Sequence, residues 1–159
     1  MAWTYSAPGD KVGYSSPRVV DGRIYIVQAR PETVQARRAA GVTRISLGAQ
    51  TFHEPALRWM GRLHGSDGPR RAMESARAAG FDNVSLDLIF ALPARLGRRW
   101  EADLEGILAL QPEHVSLYGL TAEAATPLGR WVREGREEMA DDERYADEYL
   151  TAHERLTEA

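Results

Sequence analysis

The stretch GVTRISLGAQTF, residues 41–52, decides the fold, because it alternates apolar residues with small or polar ones. This period of two predicts a β-strand with one buried face. The apolar positions are Ile45, Leu47 and Ala49, and the small or polar positions are Ser46, Gly48 and Gln50. A buried strand that ends on an amide side chain raises the question of what that amide contacts.

The same pattern recurs further along the chain. RAAGVTRISLGAQ (38–50) is matched by RAAGFDNVSLDLI (77–89), and QPEHVSLYGLT (111–121) keeps the last part of the unit. Each unit has a helix, a turn and a strand, and such repeats predict parallel strands joined by helical crossovers. The predicted strands are 45–50, 84–90 and 115–120. An open doubly wound sheet and a partial (β/α) barrel both satisfy this order.

The two faces of the strands favour the barrel. A doubly wound sheet is usually apolar on both faces. Here the second face carries Ser46, Asp87 and Ser116, which suits an inner surface that borders a ligand. We therefore predict an α/β fold, with a partial (β/α) barrel of parallel strands.

A different segment precedes the repeats. In PRVVDGRIYIV (17–27), Asp21-Gly22 separates two runs that are rich in β-branched residues, which predicts an antiparallel β-hairpin of 17–20 with 23–27. The prediction is thus a short hairpin segment followed by the barrel.

The composition narrows the function classes. The chain has 159 residues and a net charge of -3, which does not favour nucleic-acid binding. No apolar run is long enough to span a membrane and no signal peptide is visible, so we expect a cytoplasmic location. There is no cysteine, and no two histidines have metal-ligand spacing, so we predict no metal site. The histidines are His53, His64, His114 and His153.

Four polar residues fall at one end of the predicted sheet. Ligands of parallel α/β folds bind at the carboxyl ends of the strands. Gln50 and Asp87 lie at or near those ends, Thr121 follows the third strand, and Arg62 ends the helix after the first. The set suits a ligand with hydroxyl groups and a carboxylate. The alternative is structural: Asp87 pairs with an arginine, Gln50 satisfies a loop and Arg62 is solvated.

Several separated motifs resemble one family. They are GVTRISLGAQTF, ALRWMGRLH, ARAAGFDNVSLDLIFALP and LALQPEHVSLYGLTAEAATPL, in that order. They are similar to the radical SAM proteins related to oxygen-independent coproporphyrinogen III oxidase, in the branch of the heme chaperones. The resemblance runs from about Val27 to the C-terminus.

The resemblance implies a cofactor and its contacts. That family folds as a partial (β/α) barrel that binds a [4Fe-4S] cluster through three cysteines and S-adenosylmethionine inside the barrel. It implies that Gln50, Arg62, Asp87 and Thr121 contact the S-adenosylmethionine. Gln28, in QARP, stands where the family usually has a glutamate.

Two features depart from the family. The CxxxCxxC motif is missing, so the resemblance implies a cluster for which this chain holds no ligand. Residues 1–26 resemble a repeat of a quinoprotein-type β-propeller instead. We therefore expect two parts, a hairpin segment of separate origin (1–26) and a partial radical SAM barrel (27–159).

Three functions remain open from the sequence. The first is a fragment of a coproporphyrinogen-oxidase-like protein that binds S-adenosylmethionine without catalysis of its own. The second is a module that binds heme or porphyrin without redox chemistry, through His53, His64 or Tyr118. The third is a truncated or fused product without activity.

Overall fold

The computed structural model describes residues 18–20, 23–25, 38 and 41–158. A two-stranded sheet comes first. Strand β1 (Arg18–Val20) pairs antiparallel with β2 (Arg23–Tyr25), which confirms the predicted hairpin pairing. Pro31 near the start of PETVQARRAA (31–40) and Gly41 just past its end predict a helix there. That segment lies outside the described residues, apart from Arg38, which is helical.

The main sheet has three parallel strands. They are β3 (Arg44–Gln50), β4 (Asn83–Phe90) and β5 (His114–Gly119), hydrogen-bonded in the order β3-β4-β5. The strand bounds agree with the predicted ones to within about one residue. Parallel pairing in chain order is what the repeated helix–strand units predict.

Five α-helices lie in the part of the chain from residue 41 to 158. They are α1 (Glu54–Trp59), α2 (Gly68–Ala78), α3 (Trp100–Leu108), α4 (Pro127–Arg133) and α5 (Asp142–Thr157). α2 packs on β3, and α5 packs on α3 and β4. Among the described residues, no helix is long and apolar enough to cross a membrane.

Side-chain caps begin two of these five helices. The Asp141 carboxylate accepts the Arg144 amide and caps α5, and the Thr126 hydroxyl caps α4 in the same way. The sequence SDGP (66–69) predicts that a serine or aspartate side chain caps α2. Asp67 does precede this helix, but its carboxylate makes no cap hydrogen bond and pairs with Arg71 at 3.3 Å instead.

The core lies on the apolar face of the sheet. The alternation predicted for β3 is observed, with Ile45, Leu47 and Ala49 buried. Leu104 and Ile107 of α3 pack into the same cluster as the side chains on the apolar face of β3 and β4. Truncating one such leucine to alanine costs about 2–5 kcal/mol. This layer leaves the opposite face of the sheet for the polar side chains.

Candidate functional site

Gln50 ends β3 in an unusual conformation. Its φ is +67°, and the register of β3 with β4 shifts between Gly48 and Gln50. The Thr51 amide donates to the Ala49 carbonyl at 2.8 Å, which closes a three-residue turn centred on Gln50. A residue other than glycine held at such a φ costs about 1–3 kcal/mol, so the surrounding structure has to impose it.

The Gln50 amide folds back over the sheet. A Cβ built on Gly48 would lie 2.4 Å from Gln50 Nε2, so the amide fills the space of a side chain at position 48. Gly48 pairs in register with Asp87, and paired residues of parallel strands face the same side. The amide therefore lies on the face that carries Asp87, which we call the polar face. It comprises Ser46, Gly48, Asp87 and Ser116 together with the Gln50 side chain.

Asp87 is held by the strands on either side of it. The Ser46 hydroxyl of β3 donates to Asp87 Oδ1 at 2.9 Å. Burial raises the pKa of the Asp87 carboxyl, although the hydroxyls of Ser46 and Ser116 and the nearby His114 oppose the rise. The carboxylate is thus oriented before any ligand arrives. The structural alternative, an Asp87 paired with an arginine, is not what organises it, because its hydrogen bond comes from a serine.

For the other predicted site residues, the structure gives no hydrogen bond to Asp87 or Gln50 among the described residues. Arg62 lies beyond α1 rather than at its end, and its amide donates to the Leu57 carbonyl at 2.9 Å. Its Nε is buried without a hydrogen-bond partner among the described residues. Thr121 is exposed, two residues after β5, and Gln28 lies outside the described residues. The roles of all five residues in binding stay predictions.

The structure contains a buried ionic cluster that the sequence did not predict. Asp103, on α3, accepts from the Thr51 hydroxyl at 2.6 Å and from the Phe52 amide at 2.7 Å. Arg98 Nη1 lies 3.6 Å from Asp103 Oδ2, and Arg98 Nη2 lies 2.5 Å from Glu148 Oε2. Burial raises the pKa of the Asp103 carboxyl, against the hydrogen bonds from Thr51 and Phe52.

One signal could have revealed Asp103. It follows Trp100 by three residues and precedes Ile107 by four, so it falls on the apolar stripe of α3. A charged residue on such a stripe is almost never fully buried unless it is paired. The partners themselves come from distant segments, which the sequence does not connect.

A second buried carboxylate lies further along the chain. Glu137 accepts from Arg95 Nε at 2.8 Å and from Trp59 Nε1 at 3.0 Å, and its side chain is 1% exposed. Its hydrogen bond with Arg95 lowers the pKa of the Glu137 carboxyl. A cavity of about 220 Å³ lies beside it, lined among others by Ala94, Met139 and Arg144. It is lined by none of the residues of the polar face.

The relatives of the chain identify its class. No protein-family model matches the chain. By sequence, it is 35% identical over 130 residues to a heme chaperone HemW of Bacillus subtilis and 35% identical over 155 residues to that of Escherichia coli. It is 37% identical over 120 residues to a mitochondrial radical S-adenosyl methionine domain-containing protein 1 of Danio rerio. These matches cover 79%, 94% and 76% of this chain.

The fold agrees with these relatives. The chain superposes on coproporphyrinogen III oxidase (HemN) from Escherichia coli, a radical SAM enzyme, with a TM-score of 0.68 at 20% identity, over 87% of this chain and 32% of the other. An archaeal Elp3 from Methanocaldococcus infernus gives a TM-score of 0.63 at 21% identity, over 76% and 29%. The prediction of a partial (β/α) barrel is confirmed.

The chain belongs to the radical SAM class of proteins. Within that class it is a relative of the heme chaperones named HemW, so the resemblance seen in the motifs is confirmed. The chain spans 34%, 40% and 27% of the three curated relatives named above. These relatives lend no support to a β-propeller origin of residues 1–26, and the boundary at residue 26 stays a prediction.

Proposed function

We propose that the polar face binds S-adenosylmethionine, and that this chain is the part of a longer radical SAM protein that holds the nucleoside. The observation that carries the proposal is the arrangement of Asp87 and Gln50. A preoriented carboxylate and a buried amide lie on one face near the carboxyl ends of neighbouring strands. Ligands of parallel α/β folds bind at this edge.

The residues present fit the nucleoside. S-adenosylmethionine offers ribose hydroxyls and an ammonium group as donors and a carboxylate as acceptor. The Asp87 carboxylate accepts from hydroxyls or the ammonium group, and the Gln50 amide both donates and accepts. The buried Nε of Arg62 is a donor without a partner in the described part of the chain, and a guanidinium suits a carboxylate. Thr121 and Gln28 complete the proposed set.

The residues present do not fit the iron–sulfur cluster. Such clusters are held by cysteine thiolates, and the 159 residues contain no cysteine. These residues therefore supply none of the cluster ligands. We propose that this chain binds the nucleoside but does not catalyse its reductive cleavage alone.

Calorimetric titration with S-adenosylmethionine tests the proposal. We expect saturable binding to the wild-type chain and at least tenfold weaker binding for Asp87→Asn, which keeps the side-chain shape but removes the charge. Asp82→Asn is the matched control, since it removes an exposed carboxylate from the loop that precedes β4. A chain that unfolds cooperatively but gives no binding heat would refute the proposal.

A second candidate, heme binding, follows from the name of the heme chaperone relatives. Of the three ligand candidates, His53 Nε2 already hydrogen-bonds the Leu96 carbonyl at 2.8 Å, and His64 Nδ1 lies 3.3 Å from the Gly65 carbonyl. Tyr118 is 55% exposed and therefore free to approach a metal. A Soret-band titration of the wild-type chain beside Tyr118→Phe tests this, and an unchanged heme spectrum with the wild type would dismiss it.

The remaining alternative is a product without activity. A folded chain that binds neither S-adenosylmethionine nor heme would favour it. The cytoplasmic location also stays a prediction, for which fractionation of the source cells is the measurement.

A further inference from the structure

The turn that ends β3 is held by one carboxylate of α3, the helix that packs on the apolar face of the sheet. Asp103 accepts from Thr51 Oγ1 through one oxygen and from the Phe52 amide through the other, at 2.6 and 2.7 Å. The Thr51 hydroxyl in turn accepts the His53 amide at 3.0 Å. Thr51 and Phe52 are thus tied directly to a single side chain of α3, and His53 is tied to it through the Thr51 hydroxyl.

Asp103 is itself fixed in place. It is 2% exposed, and the Arg98 guanidinium lies 3.6 Å away. Arg98 stacks on the Trp100 ring at 4.7 Å and pairs with Glu148 of α5. A buried charge pair loses much of its attraction to desolvation, and Arg98 Nη1 has no hydrogen-bond partner among the described residues, so stability alone is a weak reason for the pair.

A better reason for the pair lies in Gln50, the residue that precedes the segment 51–53 held by Asp103. Gln50 holds a φ of +67° although it is not glycine, and strained backbone of this kind clusters at functional sites. The conformation folds the amide back over Gly48, within 2.4 Å of the Cβ position there. The strain thereby places a polar group on the polar face beside Asp87.

We propose that Asp103 is a positioning residue: from the apolar side of the sheet, it imposes the turn that keeps the Gln50 amide over the polar face. Its role in ligand binding rests on the proposed function, because the nucleoside is the ligand that the amide would meet. Asp103 itself contacts no ligand in this arrangement. The apolar layer therefore controls the geometry of the polar face through the backbone of one residue.

Two variants weaken the contacts between Asp103 and residues 51–53, which we call the clamp, without leaving a void in the core. Thr51→Val keeps the side-chain shape but loses both hydrogen bonds of the hydroxyl. Asp103→Asn keeps an acceptor oxygen but loses the charge that faces Arg98. Asp103→Ala is unsuitable, because it removes both acceptor oxygens and leaves a void at a position that is 2% exposed.

A matched control exists at the other end of the sheet. Glu113 accepts the Val84 amide at 2.8 Å and pairs with Arg77 at 2.7 Å, so it also ties a backbone amide and an arginine with one carboxylate. Glu113→Gln weakens a comparable set of contacts far from Gln50. Because Glu113 is 42% exposed and Asp103 is 2% exposed, urea denaturation of each variant accompanies the measurements, so that an effect on Gln50 is separated from a general loss of stability.

The first measurement is the conformation of Gln50 in the free chain. A positive φ brings the amide proton and Hα of one residue close together, so the wild type should show a strong intraresidue NOE at Gln50. We expect Thr51→Val and Asp103→Asn to weaken this NOE and to shift the Gln50 side-chain amide resonances, and Glu113→Gln to change neither. An unchanged NOE and unchanged resonances in both folded clamp variants would overturn the inference.

The second measurement is affinity for S-adenosylmethionine. We expect about tenfold weaker binding in the two clamp variants, the change that corresponds to about 1.4 kcal/mol of lost preorganisation. Unchanged affinity despite a changed Gln50 conformation would overturn the positioning role. If the wild type does not bind the nucleoside, the proposed function fails, and the NOE alone still decides whether Asp103 imposes the turn.

Discussion

Arg38 and Arg77 occupy the same position in two successive helix–strand units and make the same pair of hydrogen bonds. Each donates through Nη1 to the carbonyl four residues ahead, Arg38 to Val42 at 3.5 Å and Arg77 to Phe81 at 3.0 Å. Each also reaches the turn of the next unit, Arg38 to the Gly80 carbonyl at 2.9 Å and Arg77 to that of Gln111 at 3.2 Å. The repeated arginine therefore ties neighbouring units together at the amino-terminal edge of the sheet.

This relationship predicts a stability cost at Arg77. Arg77→Ala should lower the free energy of unfolding by about 1–2 kcal/mol, since hydrogen bonds to a charged group are worth more than neutral ones but partial exposure screens them. Urea denaturation measures the change. Arg70→Ala is the control, because its pair with Glu74 is exposed and should contribute less than about 0.5 kcal/mol. Equal costs for the two variants would contradict the linking role of Arg77.

Gln111 offers a stabilising substitution. It has a φ of +49° and is exposed, in the turn where the preceding unit has Gly80 at +83°. Gln111→Gly should raise the free energy of unfolding by about 0.5–1 kcal/mol, because glycine adopts positive φ without steric cost. Thermal unfolding measures this, and the Arg77 contact remains because it uses the backbone carbonyl.

The reverse change at Gly80 is the counterpart. A Cβ there would meet Arg38 Nε at 3.9 Å, an ordinary contact, so Gly80→Ala adds backbone strain without a clash. We expect a loss of about 1 kcal/mol. A stable Gly80→Ala variant together with a destabilised Gln111→Gly variant would show that φ does not govern these turns.

Much of the fold could be predicted because its signals are local. The alternation in 45–50 and the recurrence of Ile/Val-Ser-Leu fix which face of each strand is buried, and the observed sheet follows both. The same period of two predicts Gln50 and Asp87 on one face, but the register shift pairs Gln50 with Leu88, and the amide reaches the polar face only through the positive φ of Gln50. Nothing in the sequence, however, marks a glutamine as a residue with positive φ.

The buried carboxylates were missed for a different reason. Glu137 lies in the charged run REGREEMADD, which is typical of a solvated segment. Its partners Arg95 and Trp59 are 42 and 78 residues away, and only the folded chain brings them together. Pairings at such separations leave no periodic pattern in the sequence.

The pKa of Glu137 predicts an acid-sensitive contribution to stability. The hydrogen bond from Arg95 lowers this pKa in the folded state, so the unfolded chain binds the proton more readily. Stability from Glu137 is therefore present above its ordinary pKa of about 4.3 and is lost as pH falls through the lower folded value. Glu137→Gln should flatten the rise of stability with pH in this range, measured by urea denaturation at several pH values.

Asp87 should act in the opposite direction. Burial raises its pKa in the folded state, so its contribution is present below the ordinary value of about 3.9 and is lost as pH rises through the higher folded value. Asp87→Asn should make stability rise more steeply with pH between the ordinary pKa and the higher folded pKa. A pH profile that neither variant alters would show that both carboxyls titrate alike in the folded and unfolded chains.

Gly48 tests whether the polar face depends on the position of the Gln50 amide. In Gly48→Ala, the new Cβ would lie 2.4 Å from Gln50 Nε2, and the amide has to move because the strand backbone cannot. Since Nε2 is the flexible end of a side chain, we expect less than about 1 kcal/mol of lost stability. Affinity for S-adenosylmethionine should nevertheless fall about tenfold, a change of about 1.4 kcal/mol. Calorimetric titration and urea denaturation separate the two effects.

The Gln50→Ala background completes this test as a double-mutant cycle. Without the amide, Gly48→Ala meets no clash, so its added effect on stability and affinity should be close to zero. The coupling between positions 48 and 50 should then account for the whole effect of the single Gly48 variant. If Gly48→Ala weakens binding equally in both backgrounds, the methyl group itself blocks the ligand and the Gln50 amide is not the contact that matters.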